Sequence, residues 1–332
     1  MIAGQPEPSQ SARPVLIDTD PGIDDALALF LAWGSPGLRV EAITTVAGNV
    51  SVELATANAV RLLVAARPAH RPRMAKGAAA PLRQPLVTAG HVHGDDGLGN
   101  LHRFVGGDGR PRYPAPSVMV ETLDAADVIL ETVDRFGRDL ILIALGPLTN
   151  LALALRRDPT RLRRVGRVVV MGGAVTAPGN VTAAAEFNFY VDPEAAAEVL
   201  AAGLPLDLVP LDVTRQVVLA RADLEAALGA PSEGGGRLLL DLATYGFDRR
   251  APGIILHDPL AVAVADDPAL VGWTPLHVAV ETESPLTRGL SLGDRRERAV
   301  DRAPANCRVA LTVDAPRALA RVLEGLCRAS AS

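Results

Sequence analysis

Short apolar segments alternate with longer Ala- and Leu-rich segments along most of this 332-residue chain. The apolar segments lack polar alternation, so they are typical of strands that are covered on both faces. The predicted strands cover residues 15–18, 40–46, 140–145, 167–171, 206–211, 277–280 and 308–313. The predicted helices cover residues 24–34, 51–66, 123–136, 148–157, 193–202, 237–250 and 315–327. This order predicts an α/β fold, an open and mostly parallel sheet with helices on both faces.

Two Gly- and Pro-rich stretches interrupt the alternation. Residues 101–116 are expected to form a surface loop, and residues 230–236 a break before the helix at 237–250. There is no internal repeat and no clear linker, so residues 15–332 are expected to form a single domain. Residues 1–14 have neither a basic start nor an apolar core, so we expect a disordered tail rather than a secretory signal.

Composition excludes several classes of protein. The net charge of −5 gives no reason to expect nucleic acid or a membrane surface as a partner. No apolar run is long enough to span a bilayer. The two cysteines, Cys307 and Cys327, rule out a disulfide framework. These features predict a cytoplasmic location.

Four carboxylates crowd the junction between the first predicted strand and its helix, in the segment VLIDTDPGIDDALALFLAW. They are Asp18, Asp20, Asp24 and Asp25, and the residues around them are those of a buried segment. One carboxylate is enough to cap a helix, so capping by Asp24 does not account for all four. Such crowding is costly in repulsion and desolvation unless a cation or a polar ligand compensates it.

Other polar side chains follow later strands. Because ligands of open α/β sheets bind at the carboxyl ends of the strands, these side chains are candidates for one site. Each also has an ordinary interpretation, as a helix cap, a loop residue or a satisfied buried group. The candidates are Asn49 in TTVAGN, Asn150 in GPLTN, Asn180, Glu186 and Asn188 in GNVTAAAEFN, and His257 with Asp258 in HDPLA.

Two other readings of the acidic segment can be compared with the sequence. An EF-hand loop counted from Asp18 would need Gly and Glu where Ile23 and Leu29 stand, so that reading fails. An Mg²⁺-dependent phosphotransferase with an aspartyl nucleophile would need a downstream lysine. Lys76 is the single lysine of the sequence and has no candidate residue beside it. The phosphotransferase therefore stays a weak alternative.

The motifs, taken together, resemble the nucleoside hydrolase family of the inosine–uridine-preferring type. The resemblance runs from about residue 15 to past residue 258 and rests on DTDPGIDDA, TTVAGN, HGDDGLG, GPLTN, GN…AEFN…DPEA and HDPLA, in the family's order. His257 is similar to the residue that marks the histidine-bearing group of that family. The resemblance implies a Rossmann-like core and Ca²⁺-dependent hydrolysis of the N-glycosidic bond of purine or pyrimidine ribonucleosides.

The resemblance also implies metal ligands. Asp20, Asp25 and Asp258 match carboxylates that hold a Ca²⁺ ion, and the carbonyl of Leu145 matches a backbone ligand. Ca²⁺ takes six to eight oxygen ligands, and the ribose hydroxyls and a water would complete the set. The crowded carboxylates of the first motif are thus expected to be a calcium site.

Roles in catalysis follow from the same resemblance. Asp20 resembles the general base that activates the attacking water, His257 the acid that assists the departing base, and Tyr245 a second member of that relay. The substrate-binding residues are expected to be Asp24, Asn49, His93, Met171, Asn180, Glu186 and Asn188. The family commonly forms homodimers or homotetramers, which we carry over as an expectation. A nucleoside- or ribose-binding protein without turnover is the non-enzymatic alternative.

Overall fold

The computed structural model describes residues 12–114, 120–249, 251–298, 300 and 302–330. Its strands are β1 (Arg13–Thr19), β2 (Leu38–Thr45), β3 (Arg73–Lys76), β4 (Ile141–Ala144), β5 (Arg167–Met171), β6 (Leu206–Val209), β7 (Val218–Leu219), β8 (Ile254–Ile255), β9 (Val271–Leu276), β10 (Val278–Val280), β11 (Ser291–Gly293) and β12 (Cys307–Val313). None of the described helices is long and apolar enough to cross a membrane.

The helices lie between the strands, and short 3₁₀ turns cover Leu101–Arg103, Gly137–Asp139 and Pro268–Leu270. The helices are α1 (Ile23–Gly34), α2 (Val52–Ala66), α3 (Gly90–His93), α4 (Ala125–Phe136), α5 (Thr149–Arg157), α6 (Pro159–Leu162), α7 (Phe187–Val191), α8 (Pro193–Ala201), α9 (Leu211–Thr214), α10 (Arg221–Leu228), α11 (Gly234–Arg249), α12 (His257–Asp266) and α13 (Ala315–Ser330).

In the described part of the chain, one eight-stranded sheet has the order β3-β2-β1-β4-β5-β6-β12-β9. Neighbouring strands are parallel except at the edge, where β9 runs antiparallel to β12. Consecutive side chains of a strand point to opposite faces, and Val15 and Ile17 pack in one core while Leu16 packs in the other. Helices α1, α2, α12 and α13 cover the first face, and α4, α5 and α8 cover the second. The predicted fold class is therefore confirmed.

The order of the strands reverses at β1, because β2 and β3 lie on one side of it and β4, β5 and β6 lie on the other. The connections that leave β1 and β4 therefore diverge and open a crevice at the carboxyl edge of the sheet. The turn after β1 is held by Asp25, the third residue of α1, whose Oδ2 accepts the backbone N–H of Gly22 at 2.8 Å. Local capping thus fixes the entry of the acidic segment into α1.

Several boundaries differ from the sequence predictions. Strand β1 begins at Arg13, so residues 13 and 14 belong to the sheet rather than to the predicted tail, of which residues 1–11 lie outside the described residues. Strands β3 and β9 were not predicted, and they are the two edge strands of the central sheet. Edge strands are half-covered, and their mixed composition resembles that of loops.

Three predicted segments have a different context from the one expected. Residues 278–280 form a separate hairpin with β11 instead of joining the central sheet. The predicted break at 230–236 is shorter, because α11 begins at Gly234. The predicted loop at 101–116 is irregular up to residue 114 apart from one 3₁₀ turn, and residues 115 and 116 lie outside the described residues. It is anchored where Tyr113 donates its hydroxyl to Asp241 of α11 at 2.7 Å.

Candidate active site

A cavity of about 360 Å³ opens at the carboxyl edge of the sheet, over the ends of β1, β4 and β5. Its lining brings together side chains that are far apart in sequence. Among them are most of the residues predicted for the site: Asp24, Asn49, His93, Leu145, Met171, Asn180, Glu186, Asn188, His257 and Asp258. Asp20 and Asp25 are fully buried and are not part of this lining.

Asp25 is the most completely bonded carboxylate of the acidic segment. Its Oδ1 accepts the hydroxyl of Thr19 at 2.5 Å. Its Oδ2 accepts the N–H of Gly22 at 2.8 Å and the side-chain amide of Asn49 at 3.2 Å. These bonds fix the carboxylate between the end of β1 and the loop that follows β2.

Asp20 is held from one side only. Its Oδ2 accepts the backbone N–H of Asn49 at 2.6 Å, whereas its Oδ1 is buried without a hydrogen-bond partner among the described residues. Two glycines make room for this carboxylate, because a Cβ at Gly48 or Gly146 would overlap its oxygens. A buried carboxylate oxygen without a partner is costly, so this atom indicates a ligand that the chain itself does not supply.

Asp258 completes the acidic group from the start of α12. Oxygen atoms of Asp24, Asp25 and Asp258 all lie within 4.8 Å of one another, a spacing at which one cation can contact them all. The predicted ligand set had Asp20 where this group has Asp24. Asp24 also lies at the cavity wall, where its Oδ1 is 3.9 Å from Nδ1 of His93.

Burial and mutual repulsion dominate the electrostatics of Asp20, Asp25 and Asp258. Burial raises the pKa of Asp20, of Asp25 and of Asp258, and the neighbouring carboxylates raise each of them further. No Arg or Lys of the described residues lies within ion-pair distance of these three side chains. Because the available donors are oxygens, the residues fit a hard cation, and the group can hold a metal ion.

Asp18 lies beneath this group at the end of β1. Its Oδ1 accepts the hydroxyl of Thr44 at 2.5 Å and the amide of Asn150 at 2.7 Å. Burial raises the pKa of Asp18 to about 7. Asn150 also donates to the carbonyl of Thr45 at 3.0 Å, so it ties the ends of β1 and β2 to the start of α5. This arrangement agrees with the structural role expected for Asp18.

A second set of polar groups lines the opposite wall, at the start of α7. Glu186 caps this helix by accepting the N–H groups of Asn188 and Phe189, and its Oε2 also accepts the N–H of Gly173 at 2.9 Å. Burial raises the pKa of Glu186 to about 7. The amide of Asn188 donates to the carbonyl of Leu145 at 2.6 Å and to that of Met171 at 3.1 Å. The wall is thus tied to the ends of β4 and β5.

The rim of the cavity carries residues from two loops. Asn180 is exposed there, and the nearby carbonyl of Gly179 accepts the guanidinium of Arg215 at 2.7 Å. Across the cavity, Nδ1 of His93 accepts the backbone N–H of Ile23 at 3.1 Å. Gly22 permits this contact, because a Cβ at that position would collide with the imidazole ring. The histidine of the Gly-rich loop is therefore docked on the acidic segment.

His257 is the first residue of α12 and directly precedes Asp258, so a single peptide bond links the histidine to the acidic group. Its Nδ1 lies 2.8 Å from the hydroxyl of Thr214 at the end of α9. Tyr245 is different, since it is not among the residues that line the cavity. The guanidinium of Arg249 lies 3.6 Å from the centre of its ring. The structure therefore brings His257, but not Tyr245, into the cavity.

Sequence reasoning missed residues that support the site. Thr19 and Thr214 hold Asp25 and His257, and Arg215 lines the cavity. The sequence contains a usable signal for Thr214 and Arg215, because the segment DVTR, residues 212–215, directly follows the predicted strand at 206–211. The spacing of the polar residues in this segment does not indicate that Thr214 contacts His257 in the distant helix α12.

Comparison with known proteins places this arrangement in a family. The model of the family described as "Inosine-uridine preferring nucleoside hydrolase" matches residues 15–320. The pyrimidine-specific ribonucleoside hydrolase RihA of a Shewanella species is 37% identical over 308 residues, which cover 91% of this chain and 92% of that protein. The probable uridine nucleosidase 1 of Oryza sativa is 36% identical and covers 93% of this chain and 95% of its own length.

A solved structure agrees with the sequence relatives. The purine-preferring ribonucleoside hydrolase from Gardnerella vaginalis superposes with a TM-score of 0.85 and is 32% identical. The superposition covers 96% of this chain and 100% of that one. The resemblance drawn from the sequence motifs is thereby confirmed: this chain is a nucleoside hydrolase and belongs to the inosine-uridine preferring nucleoside hydrolase family.

Proposed function

We propose that this chain is a Ca²⁺-dependent hydrolase that splits the N-glycosidic bond of ribonucleosides and releases ribose and the free base. The observation that carries this proposal is a group of buried carboxylates, Asp20, Asp25 and Asp258, with no described Arg or Lys at ion-pair distance, beside a cavity that His257 also lines. The cavity lining mixes polar side chains with apolar ones such as Ile255 and Phe187. A nucleoside offers both kinds of surface, the hydroxyls of its ribose and the faces of its base.

Asp20, Asp25, Asp258 and the Leu145 carbonyl are the proposed ligands of the ion, with Asp24 beside them. Bound there, Ca²⁺ would supply the positive charge that offsets the carboxylates, acidifies a water and attracts the ribose hydroxyls. The unpartnered Oδ1 of Asp20 supports this assignment. Leu145 contributes only its carbonyl, so its side chain carries no information about the metal.

Asp20 is the proposed general base. A buried carboxylate can take a proton from a water that the proposed ion polarises. The backbone N–H of Asn49 fixes one of its oxygens and leaves the other to accept a proton from the attacking water. The carboxylate of Asp20 has little room to move, because Gly48 and Gly146 pack directly against it.

The ribose is proposed to lie against Asp24, Asn49, Glu186 and Asn188, with Asn180 at the rim and Met171 below. Cleavage of the bond builds positive charge on the sugar as it approaches an oxocarbenium ion. Carboxylate and amide oxygens that are already fixed in place stabilise that charge without reorganising. Glu186 is fixed in this way by three backbone N–H groups.

His257 is proposed to donate to the departing base, which gains negative charge as the bond breaks. Its imidazole lines the cavity next to the acidic group. His93 is proposed to contact the base from the Gly-rich loop. Tyr245 stays a proposed relay partner of His257, and its packing under Arg249 means that it would have to act from outside the cavity lining.

Pyrimidine ribonucleosides are the proposed preferred substrates. Relatives at 36% to 37% identity carry the names pyrimidine-specific hydrolase and uridine nucleosidase. Neither tryptophan lines the cavity, since Trp33 packs edge-on against Phe30 in α1 and Trp273 lies in the edge strand β9. Stacking of a purine between indoles is therefore not available here. The purine-preferring name of the Gardnerella vaginalis enzyme shows that the fold also serves the other base class.

The phosphotransferase alternative is not supported by any contact in the described residues. Lys76 is half-exposed, lies 3.8 Å from Glu53 and is not among the residues that line the cavity. The alternative of a binding protein without turnover is disfavoured by family membership. We further propose a cytoplasmic homodimer or homotetramer with neither nucleic acid nor membrane as a partner.

A reducing-sugar assay tests the proposal directly. Uridine, cytidine, inosine and adenosine would each be incubated with the enzyme, with and without a calcium chelator. We expect ribose release that the chelator abolishes and that added Ca²⁺ restores, with uridine and cytidine fastest. 2′-Deoxyuridine is the matched control, and we expect it to react poorly because it lacks the proposed 2′-hydroxyl ligand. Release that is insensitive to the chelator would reject the calcium assignment.

A further inference from the structure

A short buried segment holds the histidine of the cavity. Helix α9 directly follows β6, and its last residue, Thr214, is fully buried with its hydroxyl 2.8 Å from Nδ1 of His257. Thr214 lies 43 residues before His257 in the chain and is not part of the cavity lining. The contact therefore links the histidine to a different element of the fold.

The direction of this hydrogen bond follows from the hydroxyl. A helical threonine commonly donates to the carbonyl four residues earlier, as Thr56 and Thr132 do here at 2.6 Å each. Thr214 instead contacts the imidazole, which is the partner of its hydroxyl in the described residues. If Nδ1 carried a hydrogen and donated it, the buried hydroxyl hydrogen would have no acceptor. That arrangement costs about 1–3 kcal/mol, so the hydroxyl donates and Nδ1 accepts.

A neutral imidazole carries one hydrogen, so an accepting Nδ1 places it on Nε2. We infer that Thr214 is a positioning residue that holds the His257 ring through Nδ1 and keeps the hydrogen on Nε2, the nitrogen that would donate to the base of a bound nucleoside. The inference rests on the proposed function of His257. It assigns the histidine the role of a hydrogen-bond donor that stabilises negative charge on the departing base, with Thr214 fixing the donor.

The segment around Thr214 is itself anchored. The carboxylate of Asp212 accepts the backbone N–H groups of Val175 at 2.8 Å and Thr176 at 2.7 Å. Arg215 donates to the carbonyl of Gly179 at 2.7 Å. One face of α9 therefore holds the rim loop while Thr214 holds the histidine. The rim loop and His257 both belong to the cavity wall, so α9 holds the hydroxyl of Thr214 in a fixed position relative to that wall.

Kinetics with two kinds of leaving group test the role. Uridine needs help for its departing base, whereas p-nitrophenyl riboside has an activated leaving group that does not. We expect Thr214→Val to lower kcat for uridine by about tenfold, the loss of one hydrogen bond, and to leave KM and the rate with p-nitrophenyl riboside nearly unchanged. Thr214→Ser should restore the rate with uridine. Thr132→Val, which removes a buried hydroxyl on the far helix α4, is the matched control and should change neither rate.

Nitrogen spectra test the geometry independently of activity. Protein with ¹⁵N-labelled histidines, recorded at about pH 8 and assigned with His257→Ala, should show the Nε2–H form for His257. Thr214→Val should give a mixture of the two neutral forms. An Nδ1–H form in the wild type, or equal losses on both substrates in Thr214→Val, would overturn the inference. If His257→Ala slowed both substrates equally, the proposed role of His257 would fail, and the spectra would still decide the direction of the bond.

Discussion

Buried carboxylates lie near both ends of the strands of the same parallel sheet, which are its amino edge and its carboxyl edge. The fold pairs the one at the amino edge with arginines and groups those at the carboxyl edge with one another. At the amino edge, Asp207 of β6 is 2% exposed and accepts Nε of Arg167 at 2.6 Å. Arg308, its register partner on β12, binds it with two nitrogens at 2.7 Å each. At the carboxyl edge, Asp20 is fully buried, and its charged neighbours among the described residues are other carboxylates.

The difference separates structure from function. The chain compensates Asp207 with its own cations, so that carboxylate belongs to the fold. The carboxyl edge carries Asp20, Asp25 and Asp258 with raised pKa values and leaves one Asp20 oxygen without a described partner. The fold pairs a buried carboxylate with arginines at one edge and places three carboxylates without a described Arg or Lys at the other, where the proposed ion would supply the charge.

The largest effect is expected for Asp20→Asn. The amide cannot take a proton from water, so kcat for uridine should fall by about 10³-fold while KM changes little. The thermal midpoint of the chelator-treated protein should not fall, because the substitution removes one of the repelling charges. Steady-state kinetics and thermal unfolding measure the two quantities. Retained turnover would remove Asp20 as the base.

Asp207→Asn is the isosteric counterpart at the amino edge and should do the reverse. It leaves Arg167 and Arg308 without their carboxylate, and breaking a buried pair in this way should lower the free energy of unfolding by about 3 kcal/mol. The kcat of the remaining folded enzyme should be unchanged, since Asp207 is remote from the cavity lining. Chemical denaturation provides the measurement, and a loss of kcat without a loss of stability would contradict the comparison.

The pH dependence of stability should report on the buried acids at the carboxyl edge. Burial raises the pKa of Asp18 and of Glu186 to about 7, so the folded protein binds protons that the unfolded chain releases above about pH 4. The free energy of unfolding of the chelator-treated protein should therefore fall as pH rises from about 4 to about 7. Added Ca²⁺ should reduce or reverse this slope. A calcium-free protein that gains stability across this interval would show that these groups are ionised in the fold.

The smallest effect is expected for Arg308→Lys. An ammonium group cannot reproduce the two-nitrogen contact with Asp207, yet Arg308 is half-exposed and Arg167 remains in place. The loss should be below about 1 kcal/mol in denaturation, with no change in kcat. A loss as large as that of Asp207→Asn would mean that Arg308 alone compensates the carboxylate.

The sequence predicted the strands well where burial alone determines the residue pattern. Buried strands read as largely apolar runs, and six of the eight strands of the central sheet lie within two residues of their predicted bounds at each end. The edge strands β3 and β9 were missed because they are only partly covered. The motifs at the strand ends identified the residues around the cavity, since topology brings those ends together.

Contacts between distant segments could not be read from the chain. The three carboxylates whose oxygens lie within 4.8 Å of one another include Asp24 and not the predicted Asp20. Which of the two joins the group depends on how α1 leaves the turn at Gly22. The packing of Tyr245 under Arg249 depends on the orientation of α11. Thr214 meets His257 only because β6 ends and α12 begins at the same edge of the sheet. Each of these is a consequence of three-dimensional packing that one-dimensional spacing does not contain.

Calcium titration of the chelator-treated protein by calorimetry, near pH 7 in two buffers with different ionisation heats, tests the central claim most directly. The excess negative charge at the carboxyl edge predicts one Ca²⁺ bound per chain. It also predicts proton release on binding, because carboxyl groups with raised pKa values must ionise to bind the ion. The same titration of Asp207→Asn should be unchanged. A folded protein that binds no Ca²⁺, or that binds it without releasing protons, would contradict the account.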